Sequence, residues 1–197
     1  MAGSTQTKNL LAKSLQELMQ SQPLEKISIN DIVERAGVGR NTFYYHFADK
    51  YDLVNWTFQS GIMQFLARRA TPDNWQAIAV GLEEYFRENK TFYTNALSYT
   101  GQNNLRDYIQ EFLAATVTQR LRDVQAAGGI EPLSDKELRF AGRFLSGAVM
   151  GILIPWVRDG MKGSITDYAS CLHMLCTRPM AETVFGLCDS CPPPAQT

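Results

Sequence analysis

The stretch Arg40-Asn-Thr-Phe-Tyr-Tyr-His-Phe-Ala-Asp-Lys50 sets the architecture that we predict for the whole chain. At helical spacing Phe43 and Phe47 fall one turn apart on the same face, so both rings are expected to point inward. The outward faces carry hydrogen-bond donors and aromatic rings, where an ordinary solvent-facing helix would alternate Glu and Lys. Such side chains suit base edges and phosphate oxygens, which indicates a short helix that contacts nucleic acid.

A second helix is predicted immediately upstream. Ser28 and Asp31 form the S-x-x-D pattern of a capping box, and the apolar residues from Ile29 to Ala36 are spaced i, i+3, i+4 and i+7. Gly37 is expected to end this helix, because glycine takes the positive φ of a helix C-terminus without strain. Helix, glycine-containing turn and helix together form the helix-turn-helix pattern.

Residues 28–53 resemble the N-terminal DNA-binding domain of the TetR family of transcriptional regulators. The resemblance runs from about Lys8 to Trp56 and depends on the pattern T-[FL]-Y-x-H-F-x-x-K-x-x-L. Gly39 departs from the family, which often has a polar cap there, but glycine is an acceptable N-cap and the predicted fold is unchanged. The C-terminal part is more distantly similar to the subgroup named for regulators of dihydroxyacetone kinase.

The resemblance implies a repressor that binds a pseudo-palindromic operator on double-stranded DNA as a homodimer and is controlled by a small molecule. An activator, or control by a partner protein, is the alternative. The residues expected to face bases are Arg40, Asn41, Tyr44 and His46, and those expected to hold phosphates are Thr42, Tyr45, Lys50 and, through its amide, Ser28. For Tyr45 the alternative role is simple packing, and for Thr42 it is capping of the first turn.

Composition is that of a folded protein, whereas the charge of the N-terminal part is only a weak indication of nucleic-acid binding. Of the 197 residues, 45% are hydrophobic and 20% charged, which is ordinary for a globular protein. The net charge of -1 argues against indiscriminate nucleic-acid binding. Residues 1–50 carry six Lys or Arg against five acids, and three of the cations (Lys8, Arg40 and Lys50) lie near predicted helix starts.

The fold class predicted is all-α, with about nine helices. A three-helix DNA-binding domain over 1–50 precedes a larger helical domain over 51–187, for ligand binding and dimerisation. A helix over 49–69, capped by Asp49, links the two, and composition breaks at 71–73. The tail 188–197 is expected to be disordered. The N-terminus lacks the pattern of a signal peptide, which predicts a cytoplasmic protein.

Residues 144–157 are apolar almost all round but are too few to span a bilayer, so no membrane association is expected. We predict that helices at about 134–159 and 164–185 from two subunits form a four-helix interface, with Gly147, Ala148 and Gly151 allowing close approach. A central helix of the monomer is the alternative. Pro155 is expected to kink the helix.

Residues 75–144 are rich in aromatic side chains with few charges between them. For any single ring, packing in the core is the favoured role, but the resemblance implies an effector cavity in this part of the chain, and the few charges predict a mostly apolar or aromatic effector. The residues expected to bind it are Phe92, Tyr93, Tyr99, Tyr108, Phe112, Arg143 and Phe144.

Catalytic and metal-binding patterns are weak. The two histidines, His46 and His173, belong to no catalytic motif, so an all-helical enzyme is a minor alternative and no cofactor is expected. Four cysteines fall in the last 27 residues, where a metal site or a redox switch is conceivable. A cytoplasmic protein keeps cysteines reduced, and the expected role of the first two is that of small buried hydrophobes. The four are Cys171, Cys176, Cys188 and Cys191.

Overall fold

The structure is a computed structural model that describes residues 2–69 and 75–165. These residues form eight α-helices and one 3-10 turn, without a strand, which confirms the predicted all-α class. The predicted ninth helix, the composition break at 71–73 and the tail all lie outside the described residues. The helices are α1 (Ala2–Leu18), α2 (Ile29–Ala36), α3 (Arg40–His46), α4 (Lys50–Arg69), α5 (Trp75–Glu88), α6 (Lys90–Ser98), α7 (Leu105–Ala126) and α8 (Asp135–Arg158), and the 3-10 turn is Leu24–Lys26.

The first three helices form the head of the molecule, residues 2–48. Leu11 and Leu15 of α1 pack with Ile32 of α2 and with Phe43 and Phe47, all of them buried. The two phenylalanine rings lie 5.8 Å apart between centroids, as their spacing of four residues requires. The prediction that α3 is anchored by this pair is therefore confirmed.

Local capping sets the bounds of α2 and α3. The Ser28 side chain accepts from the Asp31 amide, and the Asp31 carboxylate accepts from the Ser28 amide, so both bonds of the predicted capping box are present. Gly37 has φ of +65°, the left-handed conformation predicted for it. Gly39 starts α3 in an extended conformation without a side-chain bond. The turn therefore depends on backbone conformation at two glycines, and a Cβ at Gly37 would be strained.

Helix α4 begins as predicted. Asp49 Oδ1 accepts hydrogen bonds from the amides of Tyr51 and Asp52, each at 2.8 Å, and satisfies two of the amides that the first turn leaves free. At 20 residues the helix is about 30 Å long, so it reaches from the head into the body, residues 75–165. Its buried residues Leu53, Val54 and Phe58 contribute to the continuous core of both parts.

The body core is aromatic around Tyr93, which is fully buried on α6. Its ring stacks on Phe86 of α5 at 4.0 Å and meets Phe58 of α4 edge-on at 6.5 Å. Helices α7 and α8 pack closely at Gly142, where a Cβ would lie 2.6 Å from the carbonyl oxygen of Ala114. Any larger residue at position 142 would push these two helices apart.

The head is attached to the body by side chains of α6 and of the loop after it. Asn95 donates to the carbonyls of Met19 (3.2 Å) and Gln22 (2.9 Å) and accepts from the amide of Leu24 (2.7 Å). Tyr99 stacks on Tyr51 at 4.2 Å between ring centroids, nearly parallel. These contacts fix the C-terminal end of α1 and the start of α4 against the body.

The outer face of α8 is apolar and exposed. Phe140 and Phe144 stack on each other at 6.1 Å yet remain 69% and 52% exposed. By length and composition α8 is the one described helix that could cross a membrane, a test that the core helix of a soluble protein also passes. A third of its most apolar window is buried in this chain. Helix α8 is therefore not the fully enclosed central helix of a monomer, and it continues through Pro155 to Arg158.

Candidate DNA-binding site

Helix α3 exposes polar and aromatic side chains to solvent, while Phe43 on its other side is buried. Tyr45 is 82% exposed and Tyr44 49% exposed, while Arg40 and Asn41 are also exposed. Large aromatic residues this exposed are unusual on a helix whose other face is fully buried. Four of the eight predicted DNA-contacting residues are therefore exposed on α3. Thr42 and His46 lie half-buried at its margin.

Arg40 and Tyr44 interact one helical turn apart. Arg40 Nη2 donates to Tyr44 Oη at 3.3 Å, and the guanidinium carbon lies 5.8 Å from the centre of the tyrosine ring. The bond is exposed to solvent and uses one of the five donors of the guanidinium. The remaining donors can still form the two parallel bonds by which arginine pairs with guanine.

Tyr45 makes few contacts within the chain. Its ring meets His46 edge-on at 4.9 Å and otherwise projects into solvent. This exposure is what a contact with DNA requires, and it disfavours the packing alternative. The Thr42 amide donates to the carbonyl of Gly39 at 3.0 Å, which places this threonine in the first turn of α3.

Lys50 has partners that the sequence did not indicate. Its ammonium donates to the carbonyls of Leu24, Glu25 and Ile27 at 2.8, 2.9 and 2.7 Å. All three ammonium hydrogens are thus engaged within the chain, and burial lowers the pKa of Lys50 despite the nearby carboxylates. The predicted phosphate contact would have to replace at least one of these bonds. In the free protein Lys50 instead fixes the 3-10 turn that leads into α2.

The amide and the hydroxyl of Ser28 also have hydrogen-bond partners within the chain. Its amide donates to Asp31 Oδ2 at 2.8 Å and its hydroxyl donates to the same oxygen at 2.8 Å. These bonds lower the pKa of Asp31, so the carboxylate is ionised at neutral pH. A phosphate at the Ser28 amide would meet this negative charge, which disfavours the predicted contact. The next two amides of α2, those of Ile29 and Asn30, have no intrahelical acceptor and remain the better anion donors.

Two asparagines that position the head were not singled out from the sequence. Asn95 bonds the head as described above, and Asn103 donates to Asp49 Oδ2 at 3.2 Å. The carbonyl of Asn103 also accepts from the Asn55 side chain at 3.3 Å. An asparagine within a helix such as α6 is a weak sequence signal for a contact of this kind. Asparagine disfavours a helix unless its side chain forms hydrogen bonds with another part of the chain.

The seven predicted effector residues are divided between the core, the contact of head and body, and the surface of α8. Phe92 and Tyr93 are buried in the core, and Tyr99 stacks on Tyr51. Tyr108 and Phe112 both meet the ring of Phe58 edge-on.

The other two, Arg143 and Phe144, are exposed on α8. Cavities of about 450, 500 and 470 Å³ are lined by other residues. Arg143 lines a smaller cavity of about 190 Å³ between α7 and α8. The effector site stays a prediction.

The predictions for the four cysteines concern residues that the structure does not describe. All four cysteines and His173 fall beyond residue 165 and thus outside the described residues. Within the described ranges, 2–69 and 75–165, no group of three or more His, Cys, Asp or Glu side chains is arranged to hold a metal ion.

Two family profiles match the chain. One, described as bacterial regulatory proteins of the tetR family, matches residues 13–55. The other, described as a transcriptional regulator C-terminal region of the TetR type, matches residues 73–178, more than half of the chain. The chain belongs to the TetR family. The predicted resemblance is confirmed, and with it the function of a transcriptional regulator.

Individual relatives agree with this assignment. The chain is 32% identical over 93 residues to the HTH-type dhaKLM operon transcriptional activator DhaS of Lactococcus lactis subsp. lactis. That match covers 47% of this chain and 50% of DhaS, about half the length of the curated relative. The likeness to the dihydroxyacetone kinase regulators, predicted from the sequence, is confirmed.

Two solved structures share the fold. That of the dihydroxyacetone kinase operon activator DhaS has a TM-score of 0.60 at 24% identity and covers 86% of this chain and 94% of its own. That of the fatty acid degradation regulator FadR from Bacillus halodurans has a TM-score of 0.57 at 17% identity, with coverage of 86% and 93%. TetR-family regulators are soluble proteins that bind DNA and act as dimers, and the family is one of regulators rather than enzymes.

Proposed function

We propose that this TetR-family chain is a cytoplasmic regulator that binds a pseudo-palindromic operator as a homodimer, with one α3 helix in each of two successive major grooves. The observation that carries the proposal is the exposed polar face of α3 on a helix anchored by Phe43 and Phe47. Half-sites about 34 to 36 Å apart match one turn of DNA, the spacing at which two such helices can bind together.

Within this proposal the residues of α3 divide into two groups. Arg40 forks onto a guanine and Asn41 pairs with an adenine edge, the geometries that these side chains favour. Tyr44 and His46 contact neighbouring base edges, while Thr42 and Tyr45 bind phosphates. Ser28 and Lys50 contribute by shaping the start of α2.

The dimer is proposed to form through α8. Phe140, Phe144 and Val149 are exposed on it, and among the described residues outside the helix's own backbone no atom lies within 4 Å of a Cβ built at Gly147 or Gly151. An apolar stripe with open glycines suits the close approach of a second copy. The predicted second helix of the interface, at 164–185, lies outside the described residues except for its first two positions.

The DNA assignment is tested by selecting an operator from a random DNA pool and measuring the affinity of Arg40→Ala for it. We expect a loss of about 1 to 3 kcal/mol that is confined to one base position of each half-site, because a bidentate pair with guanine discriminates by that amount. Arg120→Ala, which removes an equally exposed arginine from α7, serves as the control and should bind like the wild type.

Two results would contradict this assignment. If Arg40→Ala weakens all sequences equally, Arg40 does not read a base. If the pool yields no preferred sequence and binding disappears with salt, the chain is not a sequence-specific regulator.

Activation is the second candidate for the direction of regulation, beside the predicted repression, because the relative that is 32% identical is an activator. A reporter gene under the selected operator, with and without the chain, distinguishes the two. Expression falls if the chain represses and rises if it activates. A small-molecule effector and a protein partner are separated by adding cell metabolites or cell protein to the same purified chain and DNA.

A further inference from the structure

One side of α8 carries a regular series of residues that the described part of the chain leaves at least partly exposed. Steps of four and three residues alternate along it, the spacing that keeps side chains on the side of a helix that packs against another helix. Leu138, Gly142 and Ser146, on the other side of α8, are buried. The series, which we call the seam, consists of Phe140, Phe144, Gly147, Gly151, Ile154 and Arg158.

The two halves of the seam differ in size. Phe140 and Phe144 project from its N-terminal half, and Gly147 and Gly151 occupy its C-terminal half. Among the described residues outside the helix's own backbone, no atom lies within 4 Å of a Cβ built at either glycine. Glycine weakens the interior of a helix, so two glycines on an uncovered side favour close approach by another molecule.

The seam is complementary to itself. Phe144 and Gly147 lie equally far from a point midway between them, and Phe140 and Gly151 lie equally far from the same point. A second copy of α8 that runs in the opposite direction, related by a two-fold axis through this point, therefore places each phenylalanine opposite a glycine. A large residue opposite a small one lets two helices pack at a short distance without a clash.

A cavity of about 500 Å³ lies beside Gly151. Ile152, Pro155 and Trp156 contribute apolar surface to its lining. In the antiparallel arrangement the Phe140 ring of the second copy lies against this cavity and would leave water for these side chains. An aromatic ring that fills a pocket of the partner is the usual form of a strong interface contact.

Charges at the two ends of α8 separate the antiparallel arrangement from a parallel one. Glu137 lies in the first turn and Arg158 in the last. Glu137 Oε2 accepts from the Ser134 amide and hydroxyl, which leaves Oε1 for a cation. Arg158 has a loose contact with Asp159, at 3.7 Å and largely exposed.

These two charges can meet across an antiparallel pair. Glu137 then faces the last turn of the second copy, and Arg158 of that copy leans back toward it, because side chains tilt toward the N-terminus of their own helix. A parallel pair would instead place Glu137 opposite Glu137 and Arg158 opposite Arg158, and like charges across an interface disfavour association.

We propose that two copies of this chain pack α8 against α8 in antiparallel orientation, with Phe140 of each copy against Gly151 of the other and Phe144 against Gly147. The inference rests on the homodimer of the proposed function and adds the orientation and the register of the two helices. The occupant of the exposed seam is thus the seam of a second copy.

The register is tested by mixing two variants of the full chain, Phe140→Glu and Gly151→Lys. Each alone should raise the dimer dissociation constant about ten-fold or more, because a charge then lies against apolar surface. In an equimolar mixture the new carboxylate of one copy faces the new ammonium of the other. Heterodimers should therefore form at least about five-fold more tightly than either homodimer. Native mass spectrometry counts the species, and sedimentation equilibrium gives the dissociation constants.

Phe140→Glu mixed with Gly147→Lys is the matched control, because Gly147 lies opposite Phe144 in the proposed register. This mixture should gain less than about two-fold over its homodimers. Parallel helices would hold positions 140 and 151 of the two copies about 16 Å apart along the axis, too far for an ion pair. A mixture of Phe140→Glu and Gly151→Lys that is no tighter than its homodimers therefore overturns the register.

Two further outcomes would also overturn the proposal. Homodimers of both variants that are as tight as the wild type would place the interface away from the seam. A wild type that stays monomeric at micromolar concentration would remove the dimer itself. If circular dichroism shows that Gly151→Lys does not fold, the inner pair, Phe144→Glu and Gly147→Lys, decides by the same comparison.

Selection of an operator by the wild type, measured separately, distinguishes this inference from the proposed function. A chain that pairs in the proposed register but selects no DNA sequence contradicts the proposed function and leaves the register supported. A chain that selects an operator as a dimer, while the matched mixture shows no gain, overturns the register alone.

Discussion

Two pairs of phenylalanines share the same spacing of four residues and have opposite environments. Phe43 and Phe47 of the head are 0% and 3% exposed, whereas Phe140 and Phe144 of α8 are largely exposed. In the head, α1, α2 and α4 converge on the pair from several sides. On α8, helix α7 covers the side that carries Gly142, and the phenylalanines face away. The spacing predicts a common face, and the surrounding helices decide whether this chain or another molecule covers it.

The head and the body are therefore stabilised in different ways. The head has a closed core, caps at its helix starts and side chains that bond its turns. The body leaves an apolar face of α8 exposed. A second copy that covers this face would stabilise the fold as it forms the dimer.

The largest effect is expected for Phe43→Ala. Removing a fully buried ring from the head should lower the free energy of unfolding by about 3 to 5 kcal/mol, because the cavity left behind cannot be filled by neighbours that are themselves buried. Phe140→Ala is the matched substitution on α8 and should cost the isolated monomer less than about 1 kcal/mol. Chemical denaturation of both variants, at a concentration where the chain is monomeric, measures the contrast. Similar losses would mean that α8 is covered within the chain.

Phe144→Glu should affect assembly instead of folding. A carboxylate in the centre of an apolar interface should weaken dimerisation by about 2 to 4 kcal/mol, a factor of about thirty or more in the dissociation constant. Light scattering during size-exclusion chromatography gives the oligomeric state, and Phe43→Leu serves as a folded control that should remain dimeric. A dimer that survives Phe144→Glu would locate the interface away from this face of α8.

Lys50→Met should destabilise the head by about 2 kcal/mol, since it removes three hydrogen bonds from a charged donor while keeping the aliphatic stem. The unfolding midpoint measures the loss, and Lys26→Met, an exposed lysine of the same turn, is the control. DNA binding separates the two roles of Lys50. The salt dependence should keep its slope if Lys50 acts within the chain, whereas a slope that flattens by about one indicates the phosphate contact predicted from the sequence.

Asn95→Ala should loosen the head without unfolding it. The change removes two donors and one acceptor from the backbone around 19–24, at an expected cost of about 1 to 2 kcal/mol. Hydrogen exchange should accelerate at the Leu24 amide and along the 3-10 turn while α8 is unchanged. Asn30→Ala, an exposed asparagine in α2, provides the comparison. Unchanged exchange at Leu24 would show that the head is held by its other contacts.

The smallest expected effect is the dependence of stability on pH that Glu83 of the body contributes. Burial alone would raise its pKa, but hydrogen bonds from Ser164, Arg87 and the Ile165 amide outweigh burial and leave the pKa below its usual value. A carboxyl group whose pKa is lower in the folded state stabilises the fold above its unfolded pKa, and this stabilisation is lost as the pH falls through the folded pKa.

We expect a loss of at most about 1 kcal/mol, confined to pH values below the ordinary glutamate range. Melting temperature against pH, compared between the wild type and Glu83→Gln, measures it. The curves should converge in acid, and parallel curves would contradict the assignment.

The parts of this protein that sequence predicted best are those whose causes are local. Ser28, Asp31 and Gly37 lie within ten residues of one another, and each determines backbone geometry at its own position, so the helix-turn-helix could be predicted before any packing was known. The anchoring of α3 followed from a spacing of four residues for the same reason.

What could not be predicted depends on partners distant in the sequence. Lys50 binds carbonyls 23 to 26 residues away, and Asn95 bonds a segment 71 to 76 residues away. No local pattern indicates such contacts. The aromatic residues of the body show a related limit of local patterns, since composition gives the number of rings and only packing decides whether they enclose a cavity or fill the core.

The hydrogen bond from Arg40 to Tyr44 implies a threshold in the search for an operator. On DNA that offers no guanine at the right place, the arginine keeps its tyrosine partner and adds little to the complex. Under the proposed role of Arg40, a guanine adds two parallel bonds from donors that the tyrosine leaves unused, so the gain comes all at once where such a base is within reach. We therefore expect the chain to dissociate quickly from unrelated DNA and slowly from the operator.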